Sequence, residues 1–262
     1  MRTIRTILEL REALRDSGDV GLVPTMGAFH EGHLSLFRAA RSENEVVVAS
    51  LFVNPAQFGE AADLATYPQD EERDARIAAE CGVDVLFAPS IEEMYPTGFG
   101  TWVDVDDLGA EEAARPGHFR GVATICVKLF NIVQPRRAYF GQKDAQQGAV
   151  LRRLVRDLNL PVEIHVLPTV RDADGLAWSS RNVLLSARER TQALALPRAL
   201  HAGADAFARG DDPIAAAHAQ LNGLTPDYVE IVDLDGASVL AAAVRVGSTR
   251  LIDNVLLEGD LT

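Results

Sequence analysis

Apolar runs alternate along this chain with segments whose apolar positions recur every three or four residues. VGLVPT (20–25) and EVVVASLFVN (45–54) are apolar and β-branched with no polar alternation, the pattern of strands buried on both faces. VDVLFAP (83–89), RAYFGQKD (137–144, a strand running into a turn) and PVEIHVLPTV (161–170) continue the series. Between them lie helical patterns. GHLSLFRAARSE (32–43) puts Leu34, Phe37 and Ala40 on one side. DEERDARIAAECG (70–82) carries acids in its first turn and Gly82 as its stop. GVATICVKLFNIV (121–133) has a stripe at Val122, Ile125, Cys126, Leu129 and Val133, and AQQGAVLRRLVRDLN (145–159) follows. The first 18 residues read as an amphipathic helix.

Strand, helix and strand in repetition predict an α/β fold, a Rossmann-like doubly wound parallel sheet with helices on both faces. After RDADGLAWSSRN (171–182) the texture changes. Residues 186–222 are alanine-rich and helical, and DYVEIVDLD (227–235) and TRLIDNVLLE (249–258) are strand-like. The expectation is a domain over 1–169 and a smaller C-terminal α+β domain over 170–262 that closes as a lid. Ligands of such sheets sit at the carboxyl ends of the strands. The chemically unusual residues fall there, in Thr25–His33, Asn54–Phe58 and Gly141–Asp144.

Composition narrows the classes. The chain has 262 residues, 47% hydrophobic and 24% charged, ordinary for a globular protein. The longest nearly apolar run, VVVASLFV (46–53), is far short of the roughly 20 residues of a membrane helix. No membrane partner is expected. A net charge of −13 argues against nucleic acid as a partner, though not against a nucleotide. Cys81 and Cys126 lie far apart, so neither a disulfide framework nor a Cys-x-x-Cys metal site is expected, and the cytoplasm is the natural compartment.

The chemistry concentrates in four stretches. VPTMGAFHEGHLSL (23–36) sets His30 and His33 at a strand-to-helix switch beside Gly27 and Gly32. A zinc protease spaces its histidines by four on one helical face; here the spacing is three with a glycine between, so no metal site is assigned. A helix N-terminus with exposed N–H groups, two imidazoles and close backbone approach suits phosphate. FVNPAQFG (52–59) places the Gln57 amide at a strand end, where it suits a hydroxy acid. YFGQKDAQQ (139–147) offers Lys143 to a phosphate and Asp144 as a cap for the next helix. GLAWSSRN (175–182) is a donor-rich loop able to cover a polyphosphate.

HEGH matches the HxGH form of the nucleotidyl-transfer motif of class I aminoacyl-tRNA synthetases and related adenylate-forming enzymes. The ordered set PTMGxxHxGH, NPxQF, G-x-KD-x-QQ and SSRN, with ARPGHFRGV (114–122) and RLIDN (250–254), resembles the pantoate–β-alanine ligase family over nearly the whole chain. Trp178 stands where methionine is usual, Arg120 where an acid is common, and Gln142 where glutamate is common. The resemblance implies ATP-dependent joining of (R)-pantoate to β-alanine through a pantoyl adenylate, with release of AMP and pyrophosphate. By motif it implies an ATP site at Met26, Gly27, Ala28, Phe29, His30, Glu31, Gly32, His33, Gly141, Gln142, Lys143, Asp144, Val170, Trp178, Ser179, Ser180 and Arg181. Gln57 and Gln147 would hold pantoate or β-alanine. His33, His30 and Lys143 would be catalytic, Mg2+ would accompany ATP, and a homodimer is usual. A phosphate beside His33 is expected to favour its imidazolium. His118 is left unassigned. A nucleotidyltransferase sharing HxGH accounts for neither NPxQF nor the QQ pair. A tRNA synthetase fits poorly with the charge, and a non-catalytic nucleotide sensor would need lost catalytic groups.

Overall fold

Six parallel strands form the larger sheet of this computed structural model, which describes residues 1–262 apart from 60, 107, 108, 235 and 262. They are β1 (Arg2–Ile4), β2 (Val20–Thr25), β3 (Val46–Leu51), β4 (Val85–Phe87), β5 (Arg137–Gly141) and β6 (Glu163–Leu167). Their order is β1-β4-β3-β2-β5-β6. The central strands are apolar on both sides because both are covered. Leu22 and Val48 face the cluster built on Val122, Cys126 and Leu129, while Val23 and Val47 face Phe37 and Ala40. The first set comes from helix α7 (His118–Val133), the second from α2 (Glu31–Glu43).

The remaining helices are α1 (Ile7–Leu14), α3 (Ala61–Thr66), α4 (Glu71–Glu80), α5 (Ile91–Met94), α6 (Gly109–Ala114), α8 (Ala145–Asp157), α9 (Ala187–Ala193), α10 (Ala195–Arg209) and α11 (Pro213–Gln220). A second, antiparallel sheet has the order β7-β8-β9, from β7 (Pro226–Leu234), β8 (Ala237–Val246) and β9 (Thr249–Glu258). The expected doubly wound sheet with a smaller α+β part is thus present.

Two expectations are corrected and one is refined. The N-terminal segment opens as edge strand β1, pairing Arg2, Thr3 and Ile4 with Val85, Leu86 and Phe87, before the helix begins. The alanine-rich stretch is three helices, interrupted at Leu194 and at Gly210, which takes φ +80° as a left-handed stop. And α7 begins at His118, three residues before the apolar stripe suggested.

From β2 the chain winds outward through β3 and β4, and from β5 it winds the other way to β6. The carboxyl ends of β2 and β5 therefore flank the switch point of the sheet, where such folds open a crevice. The turns after these two strands carry the histidines and Lys143.

Candidate active site

After Thr25 the chain turns at once. Gly27 takes φ +88° and Ala28 φ +53°. This left-handed region is open to glycine but costs alanine about 1–2 kcal/mol. The turn is held from behind by α4. The Asp74 carboxylate, 1% exposed, accepts hydrogen bonds from the N–H of Ala28 (2.7 Å) and of Phe29 (2.8 Å). Burial raises the Asp74 pKa, and the two N–H bonds oppose it. Arg73 donates to Phe29 O at 3.0 Å. Phe29 is fixed edge-on against Phe37, with ring centroids 5.1 Å apart.

The turn delivers His30 as the N-cap of α2. His30 Nδ1 accepts from the N–H of Gly32 (3.2 Å), and His33 Nδ1 accepts from the N–H of His30 (3.4 Å). A nitrogen that accepts carries no proton, so both rings are neutral with the proton on Nε2. Gly32 is required by this closure, since a Cβ there would meet His30 Cε1 at 2.9 Å. Burial, then the neighbouring His33 and Lys143, pushes His30 down to about 2. Burial, then Lys143, pushes His33 down to about 4. Desolvation and Lys143 keep the His33 ring neutral, and it offers one N–H; the imidazolium expected beside a phosphate stays an expectation.

The Asn54–Gln57 corner is fully bonded. Asn54, 1% exposed, accepts at Oδ1 from Tyr95 O–H (2.8 Å) and Ala56 N–H (3.2 Å). Its Nδ2 donates to Gln57 Oε1 (3.0 Å) and Gly121 O (3.1 Å). The Gln57 amide is thereby oriented, with Nε2 3.0 Å from Met26 Sδ. His118 braces the same corner from α7. Its Nδ1–H donates to Gln57 O (2.9 Å), while Arg115 Nη1 lies 3.3 Å from its Nε2. A guanidinium only donates, so Nε2 accepts and the ring is neutral. Burial, then Arg115, pushes His118 down to about 4.

Beyond β5, Gln142–Asp144 form a single 3-10 turn. Asp144 makes no side-chain cap bond to α8, correcting its expected structural role; Lys143 Nζ lies 3.6 Å from its Oδ1. In the loop that follows β6, Trp178 N–H donates to Val170 O (3.0 Å), and the indole stacks on the His30 ring at 6.1 Å and 17°. Ser179 Oγ accepts from Arg181 N–H (3.2 Å), and Ser180 Oγ lies 3.3 Å from the Tyr67 hydroxyl.

These segments meet around one cavity of about 1040 Å³. Its wall includes Met26, Gly32 and both histidines, then Gln57, then Gly141, Lys143, Asp144 and Gln147, then Val170 and Trp178–Arg181. Gly27, Ala28, Phe29, Glu31 and Gln142 do not line it. The first three form the turn behind the wall. Glu31 pairs with Arg38 at 3.3 Å, and Gln142 bonds Asn254. The wall also includes Asn54 of the NPxQF motif and residues that were assigned no role from the pattern of the chain: Glu111, Arg115 and His118 of the first sheet's surroundings, and Tyr228, Arg250, Asp253 and Asn254 of the second. Of these unassigned residues, only those in the RPGHF and RLIDN motifs lay in a recognised stretch.

The family model described as pantoate-beta-alanine ligase matches residues 1–256. A pantothenate synthetase of Moorella thermoacetica is 53% identical, with 98% of each chain covered. A crystal structure of pantothenate synthetase from Thermus thermophilus is similar with TM-score 0.94 at 48% identity, covering 99% of this chain and 100% of that one. A pantoate-beta-alanine ligase from Francisella tularensis, complexed with beta-gamma ATP and beta-alanine, is similar with TM-score 0.85 at 34% identity, with 100% of each chain covered.

Proposed function

The chain belongs to the pantoate–β-alanine ligase family, and from that premise we propose that its cavity carries out both half-reactions of that ligation. In the first, a carboxylate oxygen of (R)-pantoate attacks the α-phosphorus of ATP. The bond to the β-phosphate oxygen breaks, and pyrophosphate leaves with the electron pair. In the second, the amine of β-alanine attacks the acyl carbon of pantoyl adenylate. The acyl–oxygen bond breaks, AMP leaves, and the amine nitrogen releases its proton.

One observation carries this reading: two neutral imidazoles, Lys143 and Ser179–Arg181 line the same cavity as Gln57 and Gln147. The former set suits a polyphosphate and the latter a small hydroxy acid. Charge in the first step moves onto the α-phosphate oxygens and the leaving pyrophosphate. Nε2–H of His30 and His33, the Lys143 ammonium and the Ser179–Arg181 donors are fixed before reaction, so they stabilise that charge without reorganising. The Gln57 amide, held by Asn54 and braced through its carbonyl by His118, orients the attacking acid. Orientation of this kind is the second large contribution. Gly27, Ala28 and Phe29 act through the backbone, by setting the angle at which α2 presents its N-terminus.

Magnesium fits as a companion of the nucleotide. Among the described residues no group of three or more His, Cys, Asp or Glu side chains could hold a metal ion. A Mg2+ that accompanies a nucleotide is held largely by substrate phosphates and one or two carboxylates. Asp144, on the cavity wall with no cap bond, is the carboxylate that fits; the oxygens of Asp74 already accept two N–H groups. When bound, the ion would offset phosphate charge. We also propose a homodimer and a cytoplasmic setting, the latter in keeping with free cysteines at 81 and 126.

The test is ATP–pyrophosphate exchange with pantoate present and β-alanine absent. Exchange that requires pantoate is expected. With folded protein and no exchange, AMP formed once β-alanine is added would mean that the amine binds before chemistry, and no AMP even then would overturn pantoate as the acid.

A further inference from the structure

Three parts of the site meet at Asp253 and Asn254, on the cavity wall. Asn254, 3% exposed, donates both amide hydrogens to the Lys143 turn: Nδ2 to Gln142 O at 2.9 Å and to Lys143 O at 2.8 Å. Its Oδ1 accepts from Gln142 Nε2 at 3.3 Å. Its own N–H donates to Asp253 Oδ1 at 2.8 Å. Asp253, 2% exposed, is gripped by both arms of Arg171, Nη1 to Oδ2 at 2.6 Å and Nη2 to Oδ1 at 3.0 Å. The same guanidinium donates to Asn254 O (3.3 Å) and to Gly175 O (3.2 Å). Gly175 lies in the turn that leads into Trp178–Arg181.

We propose that Arg171, Asp253 and Asn254 form a positioning joint through which β9 holds the Lys143 turn and the Ser179–Arg181 loop at a fixed spacing. The inference rests on the reading above that these two segments face the phosphates. The two are separated by more than thirty residues of sequence and arrive from different strands. A 3-10 turn of three residues has few bonds of its own to fix where Lys143 points. Asn254 supplies two from outside, to consecutive carbonyls. A buried bidentate Arg–carboxylate pair is directional as well as strong, so it transmits the position of β9 to the second loop. Both amide hydrogens of Asn254 and both carboxylate oxygens of Asp253 are already engaged within the protein. Their effect on the reaction passes through Lys143 and the loop.

Exchange in the unaltered protein is measured first, since its absence there would count against the proposed function and not against the joint. Asn254→Ala is then compared with Lys143→Ala and with the double variant. Misplacing a positioned group by about 1 Å can cost ~10²-fold in rate. The expected result is a fall of that order in the exchange rate for Asn254→Ala, with the KM for pantoate unchanged. The double variant should lose no more than Lys143→Ala alone, because the two act through one group. Independent, multiplying losses, or full exchange in Asn254→Ala, would overturn the joint. Should Asn254→Ala not fold, Arg171→Lys keeps the charge but not the fork, and the same comparison is made against Arg181→Ala with the same two outcomes.

Discussion

His33 shows how much one proton's location decides. With Nδ1 accepting from the backbone, the group presented to the cavity is Nε2–H, and the ring stays neutral because burial and Lys143 push its pKa down to about 4. A glutamine amide reaches the place of Nε2, whereas an asparagine amide reaches only that of Nδ1. His33→Gln is therefore expected to keep exchange within about tenfold of the unaltered protein. His33→Ala, losing one preorganised donor, should fall by ~10²–10³. His33→Asn should behave like alanine. The pH dependence follows from the same direction of shift. kcat/KM for ATP reports the groups of the free enzyme, so no His33 break is expected between pH 5 and 8. A break near 6.5 that disappears in His33→Gln would show that the ring titrates and that its role is ionic. Stability has a definite sign as well. The unfolded chain takes up protons at His33 and His118 as pH falls below about 6.5, while the folded chain does not until about 4, so stability is lost across that interval on acidification.

Helix α7 passes the backbone of the Asn54–Gln57 corner closely. A Cβ on Gly121 would sit 2.4 Å from Ala56 O and 2.6 Å from Gln57 N, both backbone atoms that have no rotamer to yield with. Gly121→Ala must push the corner away from α7 and carry the Gln57 amide with it. A rise of at least tenfold in the KM for pantoate is expected, with the KM for ATP changing far less; equal shifts in both would place the strain elsewhere. Nothing in the local pattern announces this contact, since a glycine inside a helical stripe reads only as a weak spot. The same limit explains which elements were legible. Central parallel strands such as β2 and β3 declare themselves by unbroken β-branched runs. β8 does not: ASVLAAAVRV is rich in alanine and buried on both faces. Leu240, Ala242 and Val244 pack on the α10 side, and Ala237 and Val239 on the side of Ala145, so the alternation that marks a half-buried strand is erased. β1 is too short to show any period. Of the site, the residues that project from turns at strand ends were legible through motif order. Asn254 and His118 were present in recognised motifs, but their work is hydrogen bonding across distant sequence, which a linear pattern does not encode. Glu111 had no signal.

At the scale of the molecule, a buried ionic cluster joins the two sheets at the edge of the cavity. Glu111 of α6, 3% exposed, accepts both arms of Arg250 from β9 at 2.9 and 2.8 Å, and the Tyr228 hydroxyl at 2.9 Å. Burial, with the Glu111 charge beside it, raises the Tyr228 pKa, which keeps the phenol protonated as the donor. Arg115, whose Nη1 is 3.7 Å from Glu111, donates through Nη2 to Gln57 O, so the cluster runs from the second sheet to the acid-orienting corner. The second sheet has its own core, built on Leu196, Leu200, Leu240 and Val244. The apolar contact it shares with the first part is the smaller set around Ala145, Val239 and Leu261. Two parts with separate cores unfold as one only while the link between them is strong. Glu111→Ala leaves the Arg250 guanidinium with Asp227 alone and removes about 3–5 kcal/mol of the kind a broken buried pair carries. Urea unfolding of the unaltered protein should be a single transition, followed by far-UV circular dichroism and by tryptophan fluorescence. In Glu111→Ala it should divide in two, because the pair held the parts together rather than either part internally. A single transition merely shifted to lower urea would mean instead that the 170–262 segment has no stability of its own, and that the cavity is walled by one cooperative body.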